Sequence, residues 1–365
     1  MTQTYDVAVI GAGMAGASLA AELAPHARVL LAEGETMPGY HATGRSAAFW
    51  EECYGGPGVV PLTLASGPYL RRLGLLAPRG ALYIARAEAE AEADAFVDRF
   101  AGSGVRIERL GRAGLEQRVP GIRAEWSLAI FEPACADIDV AALHQHYLAS
   151  ARQAGGELRT AARLEAAERE GGGWRLSLGA AGEACARVLV NAAGAWADEV
   201  AALAGAGALG ITPYRRTVSQ LRVEPPPRAD LPLVLDLAGQ FYFKPEQGKL
   251  WLSPQDETPS APCDAAPEEL DVAVAIDRFE SVVDWRVVAV ERKWAGLRSF
   301  APDRLPVYGF DPVRDGFFWF AGQGGFGIQT APAAARLAAQ LLLGLPRDAM
   351  TERLDPAHYA PARFG

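Results

Sequence analysis

The run Val7-Ala8-Val9-Ile10-Gly11-Ala12-Gly13-Met14-Ala15-Gly16 reads as a strand that turns into a helix through G-x-G-x-x-G. A second apolar run, Arg28-Val29-Leu30-Leu31-Ala32, follows and ends at Glu33. Strand, glycine turn, helix, strand and terminal acid together form the dinucleotide-binding βαβ fingerprint. Gly11 makes the tight turn, Gly13 lets backbone approach a pyrophosphate, and Gly16 lets helix pack closely on strand. The helix start offers free N–H groups and a positive dipole end to phosphates. Glu33 stands where a carboxylate accepts from ribose hydroxyls and repels a 2′-phosphate.

The 365 residues are 50% hydrophobic, enough for one large domain or two intimately linked ones. The net charge is −9 and no Lys/Arg block stands out, which excludes nucleic acid as a partner. No apolar stretch has the length of a transmembrane segment, and the best candidate, Leu337 to Leu345, follows a helical core pattern. Met1 to Asp6 does not read as a signal peptide. Cys53, Cys135, Cys185 and Cys263 lack metal-ligand spacing, so no metal centre is expected and a reduced compartment suits the thiols. The expected location is the cytoplasm, with attachment to the surface of the inner membrane left open.

Further segments share the small, glycine-containing texture of a cofactor contact. His41-Ala42-Thr43-Gly44-Arg45-Ser46-Ala47-Ala48 follows the second strand and lets a flat ring lie close to backbone. Arg187-Val188-Leu189-Val190 runs as a strand into Asn191-Ala192-Ala193-Gly194-Ala195-Trp196. The aromatic strand Phe317-Phe318-Trp319-Phe320 leads into Gly322-Gln323-Gly324-Gly325-Phe326-Gly327-Ile328-Gln329-Thr330 and a helix from Ala331 to Leu343. Such turns aim N–H dipoles at whatever lies before them. Helices are predicted over Pro61–Leu73, Ala87–Phe100, Val140–Gln153, Ala197–Leu203 and Glu268–Phe279. Strands are predicted at Val105–Leu110, Arg163–Arg169, Trp174–Leu178, Thr217–Val223, Leu231–Leu237, Gln240–Lys244, Lys249–Ser253 and Val287–Trp294. Cofactor-like segments at the beginning, middle and end imply a discontinuous cofactor domain over 1–50, 140–210 and 298–365. A second domain over 51–139 and 211–297 is inserted in it, a mostly antiparallel sheet that roofs a substrate cavity.

At these residues the chain resembles the amino-acid oxidoreductase flavoproteins that include D-amino acid oxidases, glycine oxidase and sarcosine oxidase. Within that family the likeness leans toward bacterial FAD-dependent D-arginine dehydrogenase. It is carried by Gly11 to Ser18, Tyr40 to Ala48, Asp137 to Asp139, Val190 to Trp196, Trp294 to Phe300 and Gly316 to Thr330. The resemblance implies an α/β plus α+β fold: a GR2-type, Rossmann-like FAD-binding domain with an inserted, mainly antiparallel β substrate domain. It implies that Gly11, Gly13, Ala15, Gly16 and Glu33 hold FAD. Ala42, Thr43, Gly44, Arg45, Ser46, Ala47, Ala48 and Phe49 join them, as do Ala193, Gly194 and Trp196 and the loop Gly324, Gly325, Phe326, Gly327, Ile328 and Gln329. Leu164, with Arg163, lies where a strand residue meets adenine. No cysteine follows Cys263, so the flavin tether of sarcosine oxidases is missing and FAD is expected to be non-covalent.

The resemblance also implies a substrate set. Arg298 matches the family's carboxylate clamp, because a guanidinium fork binds a planar carboxylate bidentately. Asp303 is the acid that would pair with it in a purely structural role. Tyr54, Tyr242, Arg215 and Gln329 match other active-site positions, with Arg216 the alternative to Arg215. Tyr54 and Tyr242, with Arg298, form the expected catalytic group, and a tyrosine or a water takes the amine proton. His41 and His144 are read as structural. The chain departs from the D-arginine enzyme at two places: Ala81 replaces a pocket glutamate, and Phe49, beside Trp50, replaces a histidine. Losing an acid and gaining aromatics disfavours a buried cation. Glu51 and Glu52, adjacent acids in a loop, are expected to face solvent, with compensation inside the pocket as their alternative role. The expected reaction is oxidative deamination of D-amino acids with neutral or apolar side chains, giving a 2-oxo acid and ammonia. The acceptor is oxygen or a quinone. The alternatives are a glycine/sarcosine-type amine oxidase, a D-arginine/D-lysine dehydrogenase and a non-enzymatic FAD-bound scaffold.

Overall fold

A computed structural model describes residues 3–365. Its first layer is an eight-stranded sheet that grows from the fingerprint. Thr4–Ile10 lies between Val29–Ala32 and Glu183–Asn191, all parallel, and Glu157–Arg159 extends the Val29 side. Glu183–Asn191 divides its other edge. Its first half pairs antiparallel with Gly173–Ser177, and its last three residues pair parallel with Phe317–Ala321. The parallel strands are near-continuous apolar runs because both faces are covered. Phe317–Ala321 and Val29–Ala32 are buried at every position. The helix Met14–Leu23 packs on this sheet, flanked by Val140–Gln153 and Gly327–Leu343.

The second layer is a nine-stranded, largely antiparallel sheet. Its backbone is the pair Thr212–Glu224 and Arg286–Phe300, which run antiparallel along their whole length. From there the order passes through Lys249–Ser253, Tyr242–Glu246, Leu233–Asp236, Ala81–Arg86 and Trp126–Glu132 to Glu108–Leu110. A small three-stranded sheet of Phe49–Trp50, Ala136–Ile138 and Leu76–Pro78 lies apart from both. Among the described residues no helix is long and apolar enough to cross a membrane.

Several elements differ from the sequence expectation in ways that matter for the site. The strand expected over Val287–Trp294 continues to Phe300, which puts Arg298 on a strand opposite Tyr214. The strand expected from Thr217 begins at Thr212, which brings Arg215 and Arg216 into the ladder. The last helix begins at Gly327, one turn before Ala331, with Pro332 in its first turns. Pro is tolerated there because the first N–H groups have no intrahelical partner. Ala81–Arg86 and Trp126–Glu132 gave no alternation to read: Ala81–Ala85 is an unbroken buried run.

Candidate active site

The fingerprint residues form one end of a long cavity between the two large sheets. Gly11 has φ of 99°, and a Cβ there would lie 2.6 Å from the Ala192 carbonyl oxygen. A Cβ on Gly16 would fall onto the carbonyl oxygen of Gly11. These two positions therefore accept only glycine, Gly11 for its turn and Gly16 for close packing. Gly13, Met14 and Ala15 line the cavity where the helix begins. The Met14 N–H donates to Thr43 Oγ1 at 2.9 Å. Glu33 lines the cavity too, and its carboxylate accepts from the backbone N–H of Ala12 at 2.7 Å and of Glu35 at 3.0 Å. Those two bonds fix the carboxylate and leave lone pairs for a ribose. His144 bonds the Ala12 carbonyl at 2.9 Å, and burial lowers its pKa, so it pins the glycine loop as a neutral ring.

Ala42, Thr43, Arg45, Ser46, Ala47, Ala48 and Phe49 continue the wall, joined by Ala193, Gly194 and Trp196 opposite. Arg45 reaches across to the roof, donating to the carbonyls of Ala265 at 2.9 Å and Ala295 at 3.2 Å. Trp294 returns a bond to the Arg45 carbonyl at 2.9 Å. Gly324, Gly325, Gly327, Ile328 and Gln329 close the far side. This narrow, glycine-floored trough with a helix N-terminus and a ribose-height carboxylate fits a flavin dinucleotide. Gly44 shapes its turn without lining it, since its N–H bonds the Gly39 carbonyl at 2.8 Å. Phe326 instead packs its ring beside Tyr54 and Phe300. Leu164 departs from expectation. Its side chain is buried in the core with Leu30, Ala32 and Leu178, leaving only main chain to meet a ligand.

At the other end the cavity is lined by Phe49, Tyr54, Arg216, Val218, Tyr242, Leu297, Arg298 and Gln329. Arg298 Nη1 donates to the Tyr54 hydroxyl at 3.1 Å, and Phe49 meets the edge of Tyr242 with ring centroids 5.7 Å apart. Burial raises the pKa of Tyr242 even against the nearby Arg216 charge, which favours the protonated phenol. Burial, then the Arg298 charge, lowers the pKa of Arg216. The Gln329 amide is spent inside the protein: Nε2 donates to the Glu51 carbonyl at 3.0 Å and Thr63 Oγ1 at 2.8 Å, while Oε1 accepts from Glu51 N–H at 3.2 Å. Gln329 thus braces the wall.

Five sequence expectations change here. Arg215 turns away from the cavity to Glu268 and to Asp271 at 2.9 Å, and Arg216 faces it, because successive strand residues point to opposite faces. Ala81 is buried opposite Glu132 in the sheet and does not line the cavity. Trp50 likewise alternates away from Phe49, into the core, where its indole bonds the Thr63 carbonyl at 3.2 Å. Glu51 and Glu52 are buried, at 0% and 7% exposure, instead of facing solvent. Asp303 pairs with Arg363 at 2.7 Å, and the acid on Arg298 is Glu257, also at 2.7 Å.

The residues that gather around Glu51 gave no sequence signal, because their spacing along the chain is arbitrary. Tyr83 donates its hydroxyl to Glu51. Glu132 accepts the backbone N–H of Glu52 at 2.7 Å and of Cys53 at 3.2 Å. Burial, then the neighbouring Glu132, pushes the Glu51 carboxyl well up, and burial lifts Glu132 to about 7. Glu51, Cys53 and Glu132 bring potential ligand atoms within 4.8 Å of one another. Burial thus shifts both carboxyls toward their protonated forms.

The FAD dependent oxidoreductase family model, DAO, matches residues 6–341. The chain belongs to this family. Among relatives, it is 29% identical over 252 residues to glycine oxidase of Pseudomonas aeruginosa, covering 67% of this chain and 65% of that one. It is 27% identical over 172 residues to FAD-dependent oxidoreductase domain-containing protein 1 of Xenopus laevis, covering 43% of this chain and 34% of that relative. The match therefore spans about a third of that longer protein. In three dimensions the chain superimposes on glycine oxidase from Geobacillus kaustophilus with a TM-score of 0.85 and 25% identity, over 99% of each chain. The fold is also that of L-proline dehydrogenase from P. horikoshii, with a TM-score of 0.86 at 20% identity, over 100% of this chain and 98% of that one. This DAO-family chain is thus an FAD-dependent oxidoreductase, and its mixed α/β architecture is the family's.

Proposed function

We propose that this flavoprotein oxidises the Cα–N bond of amino acids, with neutral or apolar side chains and the D configuration preferred, and that water then hydrolyses the imine to a 2-oxo acid and ammonia. The observation that carries the reading is the convergence of Arg298, Arg216, Tyr54 and Tyr242 on one end of the cavity whose other end holds the dinucleotide fingerprint. FAD held along Gly11, Gly13, Glu33 and Thr43 would supply the two-electron acceptor for the hydride leaving Cα. The protein's residues supply position and electrostatics. Arg298 and Arg216 attract and orient the α-carboxylate. Tyr242, held protonated, donates to the substrate, and Tyr54, already tied to Arg298, keeps the fork in place. Phe49, Val218 and Leu297 make the remaining wall apolar, which disfavours a cationic side chain without a partner.

The division into a cofactor unit over 1–50, 140–210 and 298–365 and a substrate unit over 51–139 and 211–297 belongs to the same proposal. The membership of the two large sheets supports it, except that residues 298–300 belong to the roof strand Arg286–Phe300. Non-covalent FAD and a cytoplasmic location belong to the proposal too, the latter favoured by four free thiols. A glycine/sarcosine-type amine oxidation is the second reading, favoured by the likeness to glycine oxidases in both sequence and structure.

The test is anaerobic mixing of the holoenzyme with glycine, sarcosine and paired D- and L-amino acids, reading flavin absorbance. Fast bleaching by D-methionine or D-leucine ahead of D-arginine is expected. Bleaching by glycine and sarcosine alone selects the second reading. An enzyme that no amine bleaches is outside both. Reoxidation of the bleached protein with oxygen or a quinone then identifies the acceptor.

A further inference from the structure

Tyr54, Arg216 and Arg298 form a wall with two sides. One faces the cofactor cavity. The other faces a second cavity of about 280 Å³, into which Arg99, Glu257 and Arg304 also look. Glu257 is a single carboxylate shared among guanidiniums. It lies 2.7 Å from Arg298 Nη2 and 2.8 and 3.0 Å from Arg304 Nη2, with Arg216 Nη2 at 3.7 Å. Arg298 itself is nearly enclosed, whereas Glu257 and Arg304 are 37% and 49% exposed. Arg298 Nε is buried without a partner among the described residues. The residue placed to clamp a carboxylate thus already holds one, supplied by the chain, with its Nε–H unspent.

We propose that Glu257 is an internal carboxylate that competes with the substrate's carboxylate for Arg298, and that Arg304 receives it when substrate arrives. The proposal rests on the reading of Arg298 as the substrate clamp. A glutamate terminus and an α-carboxylate each carry a full negative charge, and the single positive charge of Arg298 cannot neutralise both at once, so Glu257 lowers the affinity of Arg298 for a second carboxylate. The loop that carries Glu257 does not need to move. Asp256, the preceding residue, is fixed by Thr217 through its N–H at 2.7 Å and its hydroxyl at 2.9 Å. Only the Glu257 side chain, 37% exposed, must swing, and Arg304, 49% exposed, already bonds both of its oxygens. Arg304 stays in place as receiver because its guanidinium lies 4.0 Å over the Phe300 ring. A contact of this kind tunes affinity for every carboxylate that enters, whatever its side chain.

The experiment measures benzoate binding to the FAD-loaded protein by calorimetry, alongside kcat and KM for an amino acid that bleaches the flavin. Glu257→Gln is expected to lower the benzoate Kd and the KM about fivefold with kcat unchanged, the scale of one exposed ion pair. Arg304→Gln, which removes the receiver, is expected to weaken binding by a similar factor. The double variant is expected to match Glu257→Gln alone. Unchanged or weaker binding by Glu257→Gln would mean that Glu257 anchors Arg298, and would overturn the proposal. So would a double variant that keeps the loss seen in Arg304→Gln. Benzoate that binds neither wild type nor Glu257→Gln overturns the Arg298 clamp itself, a separate failure.

Discussion

Arg215 and Arg216 are chain neighbours with opposite surroundings. Arg215 pairs with Glu268 and Asp271 on the outer face of the roof, while Arg216 lines the cavity with its Nε donating to the Asp256 carbonyl at 3.0 Å. The alternation of a strand turns the two side chains to opposite faces, with the Asp256 carboxylate between them at 3.7 Å from Arg215 Nε and 3.9 Å from Arg216 Nε. Arg216→Gln is expected to lower kcat/KM at least about tenfold through lost charge-assisted contact, and Arg215→Gln to leave it within about twofold. Arg215→Gln should instead cost up to about 1 kcal/mol of stability for each ion pair lost. Steady-state kinetics and thermal melts on the two variants check this, and equal kinetic losses would count against it.

Arg298→Lys should be far from conservative. Lysine keeps the charge and loses the planar fork that reaches Tyr54 and Glu257 at once. Each charged hydrogen bond lost is worth about 1.5–3 kcal/mol, so kcat/KM should fall at least about tenfold with FAD content intact. Near-normal turnover of amino acids would place the clamp elsewhere.

Gly16→Ala should abolish FAD retention. The added methyl would fall on the Gly11 carbonyl oxygen, which is backbone and cannot yield without opening the glycine turn. The flavin-to-protein absorbance ratio after purification reads the effect. In the wild type, acid precipitation should release the flavin to the supernatant. Yellow colour retained in the pellet would instead show a covalent link.

Ala81→Glu should destabilise the fold and should not recruit cationic substrates. Ala81 is fully buried, opposite Glu132, and off the cavity wall. A third acid beside Glu132 and Glu51 would be desolvated at a cost of several kcal/mol. A lowered melting temperature with an unchanged ratio of D-arginine to D-methionine turnover is expected. A gain for D-arginine would show that position 81 reaches the substrate.

The Glu51–Glu132 cluster should make stability depend on pH. Burial raises the Glu132 carboxyl from its ordinary 4.5 to about 7 in the folded chain. Between those values the folded chain binds more protons than the unfolded one, so this contribution is whole below about 4.5 and is lost as pH rises through about 7. Glu51, raised by burial and by Glu132, acts in the same direction. Glu51→Gln keeps an acceptor for Tyr83 and should flatten the fall in melting temperature across that range. An unaltered slope would assign the pH dependence to other groups.

What the sequence by itself determined was everything built from local rules. The glycine spacing at Gly11, Gly13 and Gly16 followed by Glu33 defined the first βαβ unit, and the helices Val140–Gln153 and Ala197–Leu203 were legible to the residue. The resemblance motifs then named most of the wall: Thr43, Arg45, Tyr54, Tyr242, Arg298 and Gln329 all meet in one cavity. What only tertiary structure decided was direction and company. The sequence could not say that Arg216 and not Arg215 turns inward, since that needs the strand to begin at Thr212 and pair with Arg286–Phe300. It could not show that Gln329 is spent on Glu51, 278 positions away, or that Glu257 sits on Arg298, 41 positions away. Nor could it bury Glu51 and Glu52, whose loop is drawn inward by Glu132 accepting two of its N–H groups. Periodicity records which face of an element is apolar. Which polar groups meet across the interior depends on how the two sheets are laid together, and only the folded chain holds that information.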